Sequence, residues 1–331
     1  MTYSDDSLAI MLLCTQLGLS KDSELKRLTL KEWNSLASLI HTSPLERPGN
    51  LLGMAEEDIR KKLGINNGLS VRISQLLNRG GSLAVALERY GSLGVFALTR
   101  ADDGYPTRLR SRLKQSAPPV LFYAGEKMLL DQPGIAVVGS RNVDEAGQDC
   151  AILVGHACAF SGKVLFSGGA RGVDSISMQA ALENRGTAVG IIVHSLLKAI
   201  RSPQNRDALQ RGDLCLATPY SPEAGFNVGN AMGRNKLIYA CSDYAIVVAS
   251  DAEKGGTWAG ATENLKRGWV PLFARDSEDV PEGNRKLMEM GAIALPDPVP
   301  EPRKLWDWLS DQAAESSSVP EPPKPVQPGL F

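Results

Sequence analysis

The sequence predicts an α/β protein built on a doubly wound, mostly parallel sheet. Three observations carry that prediction. First, residues 135–138 and 164–166 are short apolar strands, each followed by a glycine-bearing turn with an arginine. Residues 145–160 between them have helical spacing, with Ala146, Ile152, Leu153, Ala157 and Phe160 apolar. Strand, turn, helix and strand make a βαβ unit, so the two strands should be parallel neighbours. Second, strand candidates at 188–193, 214–217, 244–249 and 270–273 alternate with helical stretches at 175–183, 204–210, 230–240 and 259–267. Third, strands such as YAIVVA are apolar without alternation, which fits a sheet covered on both faces.

The remaining elements follow in order. Residues 1–93 read as a small all-helical domain of the SAM or helix-hairpin-helix kind. Leu8, Ile10, Met11, Leu12 and Leu13 open its first helix. Leu36, Leu39 and Ile40 lie on a second, which residues 41–48 end. Residues 51–65 form a helix-turn pattern, and 70–77 and 82–90 follow, each ended by glycine. Such bundles contact protein or DNA, or cap the next domain. Residues 94–295 form the main domain. Its first part, 94–134, holds strand candidates 95–99 and 120–124, with Arg108, Arg110, Arg112 and Lys114 between them. That run reads as a solvated helix face, with phosphate contact as the alternative. From residue 296 the chain is a proline-rich acidic tail, with one short helix over 303–314 carrying Trp306 and Trp308 and a disordered end.

Composition narrows the function classes. The formal net charge is -1, so no overall basic field marks a nucleic-acid binder. The charge is uneven, however. Residues 1–134 hold 17 Lys/Arg against 14 Asp/Glu, and residues 296–331 hold 3 against 6. An acidic tail thus masks a mildly basic front that can carry a local basic groove. Five cysteines without CxxC spacing read as buried thiols of a reducing cytoplasm rather than disulfides or zinc ligands. No basic leader precedes an apolar run, and no run reaches membrane-spanning length, so the expectation is a cytoplasmic protein without a membrane partner.

The site is read from the turns. Gly139, Ser140 and Arg141 follow the first strand of the βαβ unit; Ser167, Gly168, Gly169, Ala170, Arg171 and Gly172 follow the second. Both turns open at one sheet edge, where glycines admit an anion to backbone N–H groups and helix N-termini favour negative charge. The ligand expected is phosphate-bearing. Arg234, Asn235 and Lys236 near a helix start form a third element, and Lys254, Gly255, Gly256 and Thr257 after a strand form a fourth. Four such turns at one edge would build a site at the topological switch point. The pattern is not GxGxxG and lacks the acidic ribose reader, which argues against a nicotinamide dehydrogenase. No cofactor, metal or catalytic constellation is read. Of His41, His156 and His194 only His194, at a strand end, is placed to face the site. Asp174 is expected to cap the helix from Ser175 or to fix Arg171, and Glu263 to face either the cleft or water.

Tyr105-Pro106, the AVVGSR turn, SGGARGVD, the Gly186 turn and RNKLIYACS together resemble the DNA-processing protein A family, DprA or Smf, in order and spacing over most of the main domain. The resemblance implies an extended Rossmann-like domain, single-stranded DNA binding without catalysis, homodimerisation and loading of the recombinase RecA. It assigns the strand site to Ser140, Arg141, Ser167, Gly168, Gly169, Arg171, Arg234, Asn235 and Lys236. The chain departs from the family pattern at Met178, at Ala231 in place of a phenylalanine, at Ser202-Pro203, at Gly255-Gly256-Thr257 and at Ala274-Arg275, and it lacks the winged-helix tail. It reads as a divergent member, and loss of the aromatic at Ala231 is expected to weaken base stacking.

Two further readings follow from those departures. One is a regulatory module of a phage-defence or toxin–antitoxin pair whose pocket senses a nucleotide. The other is a nucleotide phosphoribohydrolase of the LOG type, loosely suggested by Gly255-Gly256-Thr257 and Glu263. At the end of the tail, Gln327, Leu330 and Phe331 resemble the peptides with which bacterial proteins dock on the sliding clamp.

Overall fold

Ile135 and Val137 belong to one buried apolar cluster, and Ala136 and Val138 to another. Successive strand residues point to opposite faces, so this strand is covered on both sides. The computed structural model describes residues 2–20 and 23–318; the tail residues Gln327, Leu330 and Phe331 lie outside them. Its strands are β1 (Phe96–Thr99), β2 (Val120–Gly125), β3 (Gly134–Val138), β4 (Val164–Ser167), β5 (Thr187–Ile191), β6 (Leu214–Thr218), β7 (Tyr244–Val247), β8 (Leu272–Asp276) and β9 (Ile293–Pro296). They form a nine-stranded sheet in the order β1-β2-β6-β5-β4-β3-β7-β8-β9. The pairs β1–β2 and β2–β6 are antiparallel, and all the others are parallel. The architecture is the extended Rossmann-like, doubly wound sheet that the alternating pattern predicts. The edge strand β9, with only Leu295 buried, the four-residue α9 (Leu196–Ala199) and the eight-residue, charge-rich α13 (Glu282–Glu289) escaped the sequence reading because each is short.

Five helices precede the sheet: α1 (Asp5–Cys14), α2 (Leu30–Thr42), α3 (Glu56–Leu63), α4 (Asn67–Leu77) and α5 (Gly80–Ser92). Residues Ala9 to Cys14 of α1 are all buried. The helix is apolar on every side because it is enclosed by its neighbours and by β1. Arg79 closes this bundle from inside, donating to the carbonyls of Leu76, Leu17 and Leu12.

The run at Arg108–Lys114 is a partly solvated face, with Arg110 and Lys114 exposed, whose arginines also bond inward. On α6 (Thr107–Leu113), Arg108 donates to the Gln132 carbonyl at 2.6 Å and pairs with Asp243 at 3.3 Å. Arg110 donates to the Arg100 carbonyl, and Arg112 to the carbonyls of Ala240 and Ser242. These cations saturate the carbonyl ends of other elements and hold the antiparallel edge to the body of the sheet.

In the βαβ unit, α7 (Glu145–Ser161) starts at Asp144, whose carboxylate accepts the Gly147 N–H at 2.8 Å, and ends at Gly162 in the left-handed conformation. Next come α8 (Val173–Glu183), α9 (Leu196–Ala199), α10 (Pro203–Arg211), α11 (Val228–Cys241) and α12 (Gly255–Arg267). Helices α7 and α8 cover one sheet face; α6, α11, α12 and α13 cover the other. The last described helix, α14 (Leu305–Ser318), packs beside α7, with Trp306 edge-on to Tyr244 at 5.1 Å and Trp308 against Phe273 at 5.9 Å. All five cysteines are free and buried, and burial pushes the thiols of Cys150, Cys158 and Cys241 up to about 12. No helix among the described residues is long and apolar enough to cross a membrane.

Candidate nucleic-acid interface

Parallel pairing of β3 with β4, Ala136 opposite Phe166, brings their two following turns to the same sheet edge. The turns then touch. A side chain at Gly172, which has φ +88°, would run into the backbone of Ser140 and Arg141, and one at Gly139 would run into Val173. Glycine at these positions is therefore a packing requirement as well as a turn signal. Arg171 spans the join, its Nη2 donating to the Asn142 side-chain oxygen at 2.7 Å.

Several backbone donors of these turns are engaged within the protein. Ser140 N–H donates to the Ala249 carbonyl and Asn142 N–H to the Ser140 hydroxyl. Gly168 and Ala170 N–H both donate to the Asp174 carboxylate, at 3.2 and 3.4 Å. Asp174 thus fixes the turn before its helix; it neither caps α8, which starts at Val173 with Gly172 before it, nor bonds Arg171, so neither expected role is met. Ser167 is fully buried, and its hydroxyl donates to the Val137 carbonyl across the strand pair. For an anion this edge offers guanidinium charge together with the turn N–H groups not engaged in these bonds.

Arg234 supplies the innermost of that charge. It sits on the second turn of α11 and is only 5% exposed. Its Nη1 donates to the Ile191 carbonyl at the end of β5, while its Nε is buried without a partner. Gly168 lies flush against it: a Cβ there would meet both the Arg234 guanidinium and the Asp174 carboxylate. Burial lowers the Arg234 pKa, with Asp174 opposing; burial raises that of Asp174, with Arg234 opposing.

These groups line a cavity of about 540 Å³ over the carboxyl ends of β3, β4 and β5. Arg141, Gly168, Gly169, Arg171 and Arg234 are brought together in its wall. His194 lines it too, as its strand-end position suggested, and burial followed by Arg234 lowers its pKa. A second, shallower groove of about 570 Å³ continues on the far side of Arg141, Asn142 and Arg171 toward the start of α7. The two arginines stand on a saddle common to both.

Other expected residues lie elsewhere. Asn235 donates to the Gly256 carbonyl at 2.7 Å, so it ties α11 to the start of α12. Lys236 is half-buried, its pKa lowered by burial with Glu263 opposing. Neither of them, nor Gly255, Gly256 or Thr257, lines the cavity. The cavity sits over β3–β5 rather than across the β3–β7 switch point. Sequence reasoning missed Asn142 and Phe226. Phe226 lies in the loop before α11, lines the cavity, and has the Arg141 guanidinium 5.3 Å from its ring centroid. A lone aromatic in a glycine- and asparagine-rich loop was the available signal.

Comparison with known proteins gives the family and the fold. The family model for DNA recombination-mediator protein A matches residues 96–299, more than half of the chain. The chain belongs to that family. It is similar to the DNA processing protein DprA of Bacillus subtilis, 26% identical over 276 residues that cover 81% of this chain and 86% of the relative. Its fold is like that of DNA processing protein A from Streptococcus pneumoniae, with a TM-score of 0.63 at 21% identity, covering 89% of this chain and 95% of the other. It is also like that of DNA processing protein A from Helicobacter pylori, a structure concerned with that protein's single-stranded DNA binding mode. There the TM-score is 0.53 at 24% identity, over 67% of this chain and 96% of the other.

Proposed function

We propose that this chain binds single-stranded DNA at the cavity over β3, β4 and β5, and does no chemistry on it. The observation that supports this most is the convergence of Arg141, Arg171 and the buried Arg234 on one open cavity. Guanidinium groups match phosphate in shape and charge, and a solvent-open trough shared between two grooves suits a polymer better than an enclosed small ligand. That the Helicobacter pylori protein binds single-stranded DNA supports the choice of ligand. Strand binding would then serve DNA processing and recombination, with delivery of the coated strand to a RecA-type recombinase as its further step. A homodimer in the cytoplasm fits this reading, and Gln327, Leu330 and Phe331 would add a tether to the sliding clamp. Gel-mobility and sedimentation measurements with purified protein and a single strand test the binding and the dimer together. A protein that stays unbound at low salt would overturn the reading.

A further inference from the structure

Phe226 is 54% exposed at the mouth of the cavity, on the loop between β6 and α11. A single exposed apolar side chain is ordinary by itself, and it is the surroundings that give this one a role. Two neighbours matter. The Arg141 guanidinium lies over the ring, and Ala231, whose side chain is a single methyl, lines the same cavity and leaves it open. Val228 and Met232, near in sequence on the first turns of α11, are also exposed, at 65% and 50%. Beside this flat π-face stand Arg171 and Arg234, the fixed positive charge of the wall. An aromatic face next to guanidinium groups is the chemistry that takes a planar base joined to a phosphate.

We infer that Phe226 is the base-stacking platform of the site, and that Arg141 holds its place until a strand arrives. This deepens the single-strand reading and rests on it. In the free protein the Arg141 guanidinium occupies the ring face by a cation–π contact. A base that takes over that face releases Arg141 toward the phosphate on the saddle between the two grooves. Stacking and phosphate capture are then two halves of one exchange, and no net ring exposure results. The platform also reads no sequence, because every base offers a π-face.

The test pairs a change in the protein with a change in the strand. Wild type and Phe226→Ala are titrated with oligo-dT and with an abasic strand of equal length, and melting curves check that both proteins are folded. Wild type is expected to prefer oligo-dT over the abasic strand by about 5- to 150-fold. Phe226→Ala is expected to lose most of that preference while binding the abasic strand as wild type does. Phe226→Trp is expected to keep it, and to quench 2-aminopurine placed in the strand, as wild type does and Phe226→Ala does not. A Phe226→Ala protein that retains the full preference for bases overturns the stacking role and leaves single-strand binding standing. Wild type that binds both strands equally does the same. Wild type that binds neither strand overturns the underlying reading along with it.

Discussion

Arg171 on the β4 turn reaches Asn142 on the β3 turn, Nη2 to Oδ1 at 2.7 Å. This bond links the two turns of the βαβ unit and aims the guanidinium along the saddle between the two grooves. The partner is a neutral amide, so the positive charge of Arg171 is not cancelled and remains available to a phosphate. Arg171→Ala should therefore weaken single-strand binding by about 1.5–3 kcal/mol. The slope of log K against log salt should also become shallower by about 0.7, the value of one phosphate contact on a single strand. Fluorescence anisotropy across a salt series reads both. Because the side chain is exposed, thermal stability should barely change.

Gly168 tests the inner wall. Its missing side chain leaves the room in which the Arg234 guanidinium and the Asp174 carboxylate sit. Gly168→Ala forces a methyl group into that room, which should cost about 1–3 kcal/mol of stability, as overpacking of a filled interior does. Urea denaturation gives the stability. Strand affinity should fall as well, since Arg234 is displaced from the cavity wall. A Gly168→Ala protein with unchanged midpoint and affinity would mean that the wall is not built as described.

Arg112 separates structural from ligand-binding arginines. It donates to the carbonyls of Ala240 and Ser242 at the carboxyl end of α11 and does not line the cavity. Arg112→Ala leaves two carbonyls without this donor and should destabilise the fold by about 1–3 kcal/mol. Its effect on strand affinity, measured where the protein remains folded, should be nil. A loss of binding without loss of stability would return this run of cations to the candidate interface.

His194 gives the pH dependence. Burial and then Arg234 lower its pKa in the folded protein below the ordinary value of 6.5. The unfolded chain therefore takes up a proton at His194 before the folded one does. Its contribution to stability is intact above 6.5 and is lost as pH falls from there through the lower folded value. His194→Gln should flatten the fall in stability below pH 6.5, read as urea midpoints across that range. An unchanged pH profile would show that His194 titrates freely.

The sheet and its two glycine turns were legible because the signals are local: apolar runs set the strands, and glycine after a strand sets the turn. The wall of the site was less so. Arg234 reads as a phosphate-contacting cation near a helix start, and only the packing of α11 over the ends of β4 and β5 shows that it is buried beside Asp174. The Arg108–Lys114 run has the same composition as a solvated face, and its carbonyl partners come from distant segments. Phe226 carries no periodic signal, since it stands alone in a loop whose course is set by Asn227 capping α11 and by Tyr220 donating to the Asn230 carbonyl. Gly255-Gly256-Thr257 opens α12 outside the cavity wall, and its Gly256 carbonyl accepts from Asn235, a contact between distant segments that no local signal announces.

The most direct test of the central claim is a titration of labelled oligo-dT into the purified protein at low and at moderate salt, beside a duplex of the same length. The account predicts binding that is selective for the single strand and falls steeply with salt, because arginine side chains supply most of the attraction. Absence of single-strand binding at low salt, or equal affinity for the duplex, would contradict it.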